Sequence, residues 1–186
     1  MEPIEITLRD GTTLMLRRGT PADGPAVARM HRRCSLDTVL RRYLTAMPQL
    51  SPALQQRLLE LHLTVVAEHR TEVVGLAHLA EVAGEAPELA LLVEDAWQRR
   101  GVGRALAEAV LRSAEDDGHS SMVACTLPSS TAVHSLLRRL RGGRLAPVFT
   151  RSDDGLVRVT LRLAPRRTAL PRDGVRPAEL PRALSA

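Results

Sequence analysis

The chain contains no lysine and no asparagine, and phenylalanine, tyrosine and tryptophan occur once each. All 26 basic residues are therefore arginines, set against 21 acidic residues for a formal charge of +5. So few aromatic rings leave no surface on which bases could stack. The arginines are also spread along the chain instead of forming one block. The positive balance is read as solvated surface plus sites for small anions, and nucleic-acid binding is not expected. Scarce Lys, Asn, Ile, Phe and Tyr point first to a GC-rich coding sequence. Two cysteines, Cys34 and Cys125, cannot build a disulfide framework, and their spacing suits no metal site. No apolar run is long enough to span a bilayer. Met1 to Glu5 offer neither the basic region nor the apolar core of a signal peptide, so a reduced cytoplasm is the expected location. The 186 residues suit one domain with a sizeable core.

What is there divides by period. Ile4–Leu8 and Thr12–Arg17 alternate around Asp10-Gly11 and read as a hairpin. Thr20-Pro21-Ala22-Asp23 reads as a helix cap, followed by Val27, Met30, His31 and Cys34 on one face. Val39, Leu40, Tyr43, Leu44 and Met47 form a second stripe that Pro48 should stop. Ser51-Pro52 opens a third helix through Leu61. Strands are expected at 64–68, 73–81 and 88–93, a helix at 101–117, and a strand at 121–127. A helix over 130–140 places Val133, Leu136, Leu137 and Leu140 inward, with Gly142-Gly143 closing it. Leu145–Thr150 and Leu156–Leu163 form a last hairpin around Asp153-Asp154-Gly155. Residues 164–186 are Pro- and Arg-rich without periodicity and read as a disordered tail.

Chemistry concentrates at Gln98-Arg99-Arg100-Gly101-Val102-Gly103, between the apolar run Leu89–Val93 and the helix carrying Val102, Leu106, Ala109, Val110 and Ser113. A helix opens with four free N–H groups and a positive dipole end. Glycines there let a phosphate reach the backbone, and Arg99, Arg100 and Arg104 add charge. The segment is no P-loop, because no Gly-Lys-Ser/Thr follows. Its six-residue glycine pattern starting at Gly101 ends on Leu106, which departs from the dinucleotide fingerprint.

Gln98, Gly101 and Gly103, with the order of elements around them, resemble the Gln/Arg-x-x-Gly-x-Gly/Ala signature of the GNAT superfamily of N-acetyltransferases. Met30–Ser35, the apolar stretch to Tyr43, and Glu88-Leu89-Ala90 before Asp95-Ala96-Trp97-Gln98 are most similar to the acetyltransferase domain of bacterial protein lysine acetyltransferases. The resemblance implies an α/β (α+β) domain over residues 1–163, with a central mixed, mostly antiparallel sheet of about seven strands flanked by helices. It implies acetyl-CoA as co-substrate and an amine acceptor, a protein lysine, with the chain acting as a monomer or homodimer. Within it, the backbone of Leu91, Leu92 and Val93 would pair with pantetheine and polarise the thioester. Gln98, Arg99, Arg100, Gly101, Val102, Gly103, Arg104 and Ala105 would hold the pyrophosphate. Ser130 stands where the family often has Asn, and no Tyr occupies the following helix, so the general acid is unassigned.

An ammonium acceptor must first lose a proton, its pKa being about 10.4. Glu88, opening the strand that leads to the cradle, is the candidate base, acting through a water; Glu81 is second. Glu94 and Asp95 are assigned to the loop and cap. His134 and Ser135 are nearby candidates for the general acid but are read as structural or solvent-facing, and Cys125 is taken as an inert core thiol instead of an acyl carrier. Two alternatives stay open: acetyl transfer to a small-molecule amine, and a non-catalytic acyl-CoA-binding module.

Overall fold

A computed structural model describes residues 1–45, 50–81, 84–143, 145–152 and 154–164. Met47, Pro48, Asp153 and the tail beyond 164 lie outside the described residues. Eight strands form one sheet: β1 (Ile4–Thr7), β2 (Thr13–Arg18), β3 (Leu63–His69), β4 (Glu72–Ala80), β5 (Glu88–Val93), β6 (Ser121–Thr126), β7 (Val148–Arg151) and β8 (Val157–Arg162). Their spatial order is β1-β2-β3-β4-β5-β6-β8-β7. Every neighbouring pair is antiparallel except β5 with β6. The sheet exceeds the expected seven strands because the last hairpin adds both of its strands beyond β6. β7 starts later than the hydrophobic pattern suggests, since Ala146 takes a positive φ and Pro147 has no N–H to give to a ladder.

Among the described residues, five α-helices flank the sheet: α1 (Gly24–Arg32), α2 (Leu36–Tyr43), α3 (Pro52–Leu59), α4 (Val102–Asp116) and α5 (Thr131–Arg139). The expected capping signal at Thr20 is present, with Thr20 N–H donating to Asp23 at 2.8 Å, but it opens a short 3₁₀ turn, Pro21–Asp23, ahead of α1. α2 is shorter than its stripe: Leu44 N–H makes a helical bond to Leu40 at 2.8 Å, and Leu44 then turns left-handed. Its seated face is Val39 and Tyr43, whereas Leu36 stays 71% exposed.

The sheet packs on two faces. α4 lies across β3, β4 and β5. It buries Val102, Leu106, Ala109 and Val110 as expected, and also Ala107, Leu111 and Ala114. Ser113 is only half-buried. α1 and α3 cover the other face around Val27, Met30, Leu59, Val66, Leu76 and Leu92. Among the described residues, no helix is long and apolar enough to cross a membrane.

Candidate active site

β5 leaves its neighbour after one step. Its only parallel register with β6 is Glu88 opposite Val123, fixed by Val123 N–H donating to the Pro87 carbonyl at 2.9 Å. Toward β4 the ladder continues from Glu88 to Val93. Glu94 N–H donates to Val74 O at 3.0 Å. Alternation then turns the peptide groups of residues 88, 90 and 92 toward β4 and those of 89, 91 and 93 toward β6. Beyond the fork, the backbones of Leu91 and Val93 therefore edge an open gap. Leu92 does not: its peptide is on the β4 side opposite Leu76 and its side chain is in the core.

At the end of this gap sits the cradle. Gly101, the residue before α4, has φ +105°, a conformation for which side-chain-bearing residues are strained. Arg99 also has a positive φ, +58°. Among the described residues, the N–H groups of Arg99, Arg100, Gly101, Val102, Gly103 and Arg104 have no acceptor; the first helical bond is Ala105 N–H to Gly101 O at 3.0 Å. Six consecutive free donors at a helix start suit a polyphosphate. The second glycine serves a different end. A Cβ on Gly103 would lie 3.3 Å from Leu136 and under 4 Å from Val93 and Leu91, so this glycine lets α4 approach α5 and β5.

The side chains around the cradle are mostly engaged. Gln98 donates to Val93 O at 3.0 Å and to Thr38 Oγ1 at 3.0 Å. Arg100 binds Asp10 and Thr12 and stacks over Trp97, 4.3 Å from the ring centre. Arg104 pairs with Glu108 one turn on. Arg99 has no such partner among the described residues and is exposed. A shallow groove of about 280 Å³ runs beside Gly101, lined in part by Arg9, Arg100, Arg104 and Arg112. Val102 is fully buried and Ala105 packs on the core, so only their main chains face the cradle.

Ser130 precedes α5 and is buried, with its hydroxyl 3.4 Å from Arg41 Nη1. His134 is held by Thr126 at 2.8 Å and set edge-on to Phe149. Glu94 is buried and paired with Arg33 at 2.9 Å. Asp95 receives Ser35 N–H at 2.8 Å and both the Ser35 and Thr38 hydroxyls, anchoring the start of α2.

Glu88 stands at the fork. It is half-buried, and its carboxylate makes no hydrogen bond or ion pair among the described residues. Burial raises its pKa, against the attraction of Arg42 and Arg158. Glu81, the second candidate, is 41% exposed and lies 3.5 Å from His62, away from this arrangement. Burial and the Glu88 charge raise the Cys125 pKa as well, which keeps it a thiol.

On the side of the sheet that carries Glu88, α1 and α2 bring together residues that are distant in sequence. Arg42 and Tyr43 arrive on α2, which packs on β5, and His31 arrives on α1. The His31 and Tyr43 rings lie 5.6 Å apart, and the Arg42 guanidinium sits 4.8 Å from the Tyr43 ring centre. Arg42 acts electrostatically on His31, His78 and Glu88 alike. Both ring nitrogens of His31, Tyr43 Oη, Arg42 Nε and His78 Nε2 are buried without a partner among the described residues. Sequence reading passed over His78; its one signal was a polar residue inside the apolar run of β4, on the strand face that also carries Ala80, opposite Glu88.

The model of the acetyltransferase (GNAT) family matches residues 26–142. The GNAT domain of S. lividans PAT superposes with TM-score 0.77 at 24% identity, covering 87% of this chain and 97% of that one. A Salmonella typhimurium protein of acetyltransferase type, solved with its cofactor acetyl-CoA, gives TM-score 0.65 at 20% identity over 87% and 99%. A cAMP-binding acyltransferase from Mycobacterium smegmatis gives TM-score 0.57 at 23% identity; this chain covers 48% of its length. The family match spans more than half of the sequence and agrees with the forked sheet and the glycine cradle: the chain belongs to the GNAT family of acetyltransferases.

Proposed function

We propose that this protein transfers the acetyl group of acetyl-CoA to a primary amine, the side chain of a protein lysine, by direct attack with Glu88 as general base. The observation that carries this reading is the unpaired, half-buried Glu88 carboxylate at the point where β5 parts from β6. Acetyl-CoA supplies an acetyl group already activated as a thioester. The six free N–H groups from Arg99 to Arg104 fit its pyrophosphate, and the peptide edges of Leu91 and Val93 fit its extended pantetheine arm. The same edge offers N–H donors to an oxygen that gains negative charge during transfer.

Glu88 takes the proton that an alkylammonium must lose. Burial raises its proton affinity, which makes it a stronger base than a solvated carboxylate. A lysine brings its amine on a long stem able to reach a recessed carboxylate. This chain, having no lysine, offers only its N-terminal amine for self-acetylation.

Incubation with acetyl-CoA and a protein mixture, followed by mass mapping, tests the reading. New acetyl-lysine that vanishes with Glu88→Gln supports it. Glu88-dependent acetylation of small amines without any protein signal would move the acceptor to a small molecule. Binding of acetyl-CoA with no transfer to any amine would leave a non-catalytic acyl-CoA module.

A further inference from the structure

His78 is 1% exposed, and its tautomer is set by its neighbours. Thr64 Oγ1 lies 2.6 Å from Leu58 O and 2.9 Å from His78 Nδ1. The carbonyl can only accept, so the hydroxyl proton points to Leu58. The Thr64 oxygen must then accept from His78, which places the ring proton on Nδ1 and leaves a bare lone pair on Nε2. That Nε2 is buried and has no partner among the described residues. A buried acceptor of this kind is paired with water or ligand.

Register supplies the other half. His78 faces Ala90 across the β4–β5 ladder, and Ala80 faces Glu88. His78 and Glu88 therefore form a diagonal pair on one sheet face, with Cβ atoms on the order of 7–8 Å apart. The residue opposite His78 and two along from Glu88 is the small Ala90, which is itself half-exposed. We propose that His78 is a positioning residue: its Nε2 accepts a hydrogen bond from the water through which the acceptor ammonium reaches Glu88.

This assignment rests on Glu88 being the base. The ammonium N–H passes its proton to the water oxygen while a proton of that water passes to the Glu88 carboxylate. The water is restored, Glu88 becomes the neutral acid, the acceptor becomes the free amine, and His78 stays neutral throughout. Burial and the nearby Arg42 charge hold the His78 pKa well below its ordinary value, consistent with that role. The groups around it are Arg42 on α2 and Thr64 on β3, with Glu88 diagonally across on β5.

The test combines nitrogen-15 NMR of the full chain, labelled at its 6 histidines, with transfer kinetics on a lysine peptide. The signal absent from His78→Asn identifies the residue. We expect a neutral ring protonated on Nδ1 at every pH from 5 to 9. His78→Asn keeps a donor for Thr64 and removes the Nε2 acceptor. It should lower kcat by ~10–100-fold, part of the usual general-base effect, with acetyl-CoA KM and melting temperature nearly unchanged. Thr64→Val keeps the imidazole but frees its tautomer and should lower kcat less. A His78 ring protonated on Nε2, or titrating near its ordinary pKa, overturns the proposal whether or not any variant folds. So does His78→Asn at wild-type kcat in a preparation where Glu88→Gln is inactive. An active Glu88→Gln would overturn the base assignment instead, and the role of His78 with it.

Discussion

The side-chain amide of Gln98 donates to the main-chain carbonyl of Val93 at 3.0 Å, tying the cradle loop to the last residue of the forked strand. The same amide reaches Thr38 on α2, which donates to Asp95. One side chain thus joins the cradle, the open strand edge and the helix that carries Arg42 and Tyr43. Gln98→Glu keeps the shape but turns the donor into an acceptor aimed at a carbonyl. With about 1 kcal/mol lost per such bond, acetyl-CoA KM should rise ~5–10-fold in Gln98→Glu and in Gln98→Ala, with kcat changed much less. Steady-state kinetics decide it; an unchanged KM in both variants would remove the loop tie from the binding argument.

The two cradle glycines should fail in different ways. Gly101 has φ +105°, so Gly101→Ala adds strain of about 1–2 kcal/mol. It should weaken acetyl-CoA binding through the displaced N–H groups. Gly103→Val instead drives a branched side chain toward Leu136, Val93 and Leu91. Overpacking of that kind costs about 1–3 kcal/mol and should push α5 outward, abolishing acetyl-CoA binding while the rest of the sheet persists. Calorimetric titration and thermal melting of both variants separate the effects. Wild-type affinity in a folded Gly103→Val protein contradicts the geometry.

Much of this was legible in the sequence because period and punctuation act locally. Glu88–Val93 was read to the residue, and the helix after Gly101 to within one residue at each end, since continuous apolar runs and glycine stops define them. The departure of β5 from β6 was not legible, nor was the reason for Gly103, because both depend on neighbours distant in the chain. Nor could sequence bring Arg42 and His78 to the sheet face of Glu88: their placement depends on the β3–β4–β5 register and on α2 docking through Ser35 and Asp95. Tyr43 is the clearest case. Carried on α2, its ring lies 5.6 Å from that of His31 on α1.

Cys125 faces the same surroundings as Glu88 but is not poised to carry acetyl. Burial and the Glu88 charge raise its pKa, and Cys34 is pushed up to about 12. Neither forms a ready thiolate near neutral pH. Cys125→Ser should retain most of the wild-type transfer rate, and rapid-quench mass analysis should find no acetyl group on the chain during turnover. An acetylated Cys125 formed and discharged at the turnover rate would replace direct transfer with a two-step route.

Glu88 should set both the pH dependence of transfer and part of the stability. Its carboxylate pKa is raised by burial above the unfolded value, so between those two pKa values the folded chain holds more protons than the unfolded one. The stability linked to this group is fully present below the unfolded pKa and is lost as pH rises through the folded one. Glu88→Gln copies the protonated form at every pH. Its melting temperature should therefore exceed that of the wild type at pH 8, and the gap should close toward pH 4. Over the same range, wild-type kcat should fall on the acid side with a midpoint above the ordinary carboxylate range. Glu88→Gln should lose that limb and ~100-fold or more of the rate, the scale of a missing general base. Equal melting temperatures at pH 8 would mean that the ionised carboxylate is not disfavoured in the fold. A stabilised but inactive Glu88→Gln would show a buried charge retained against the interest of stability because proton transfer requires it there.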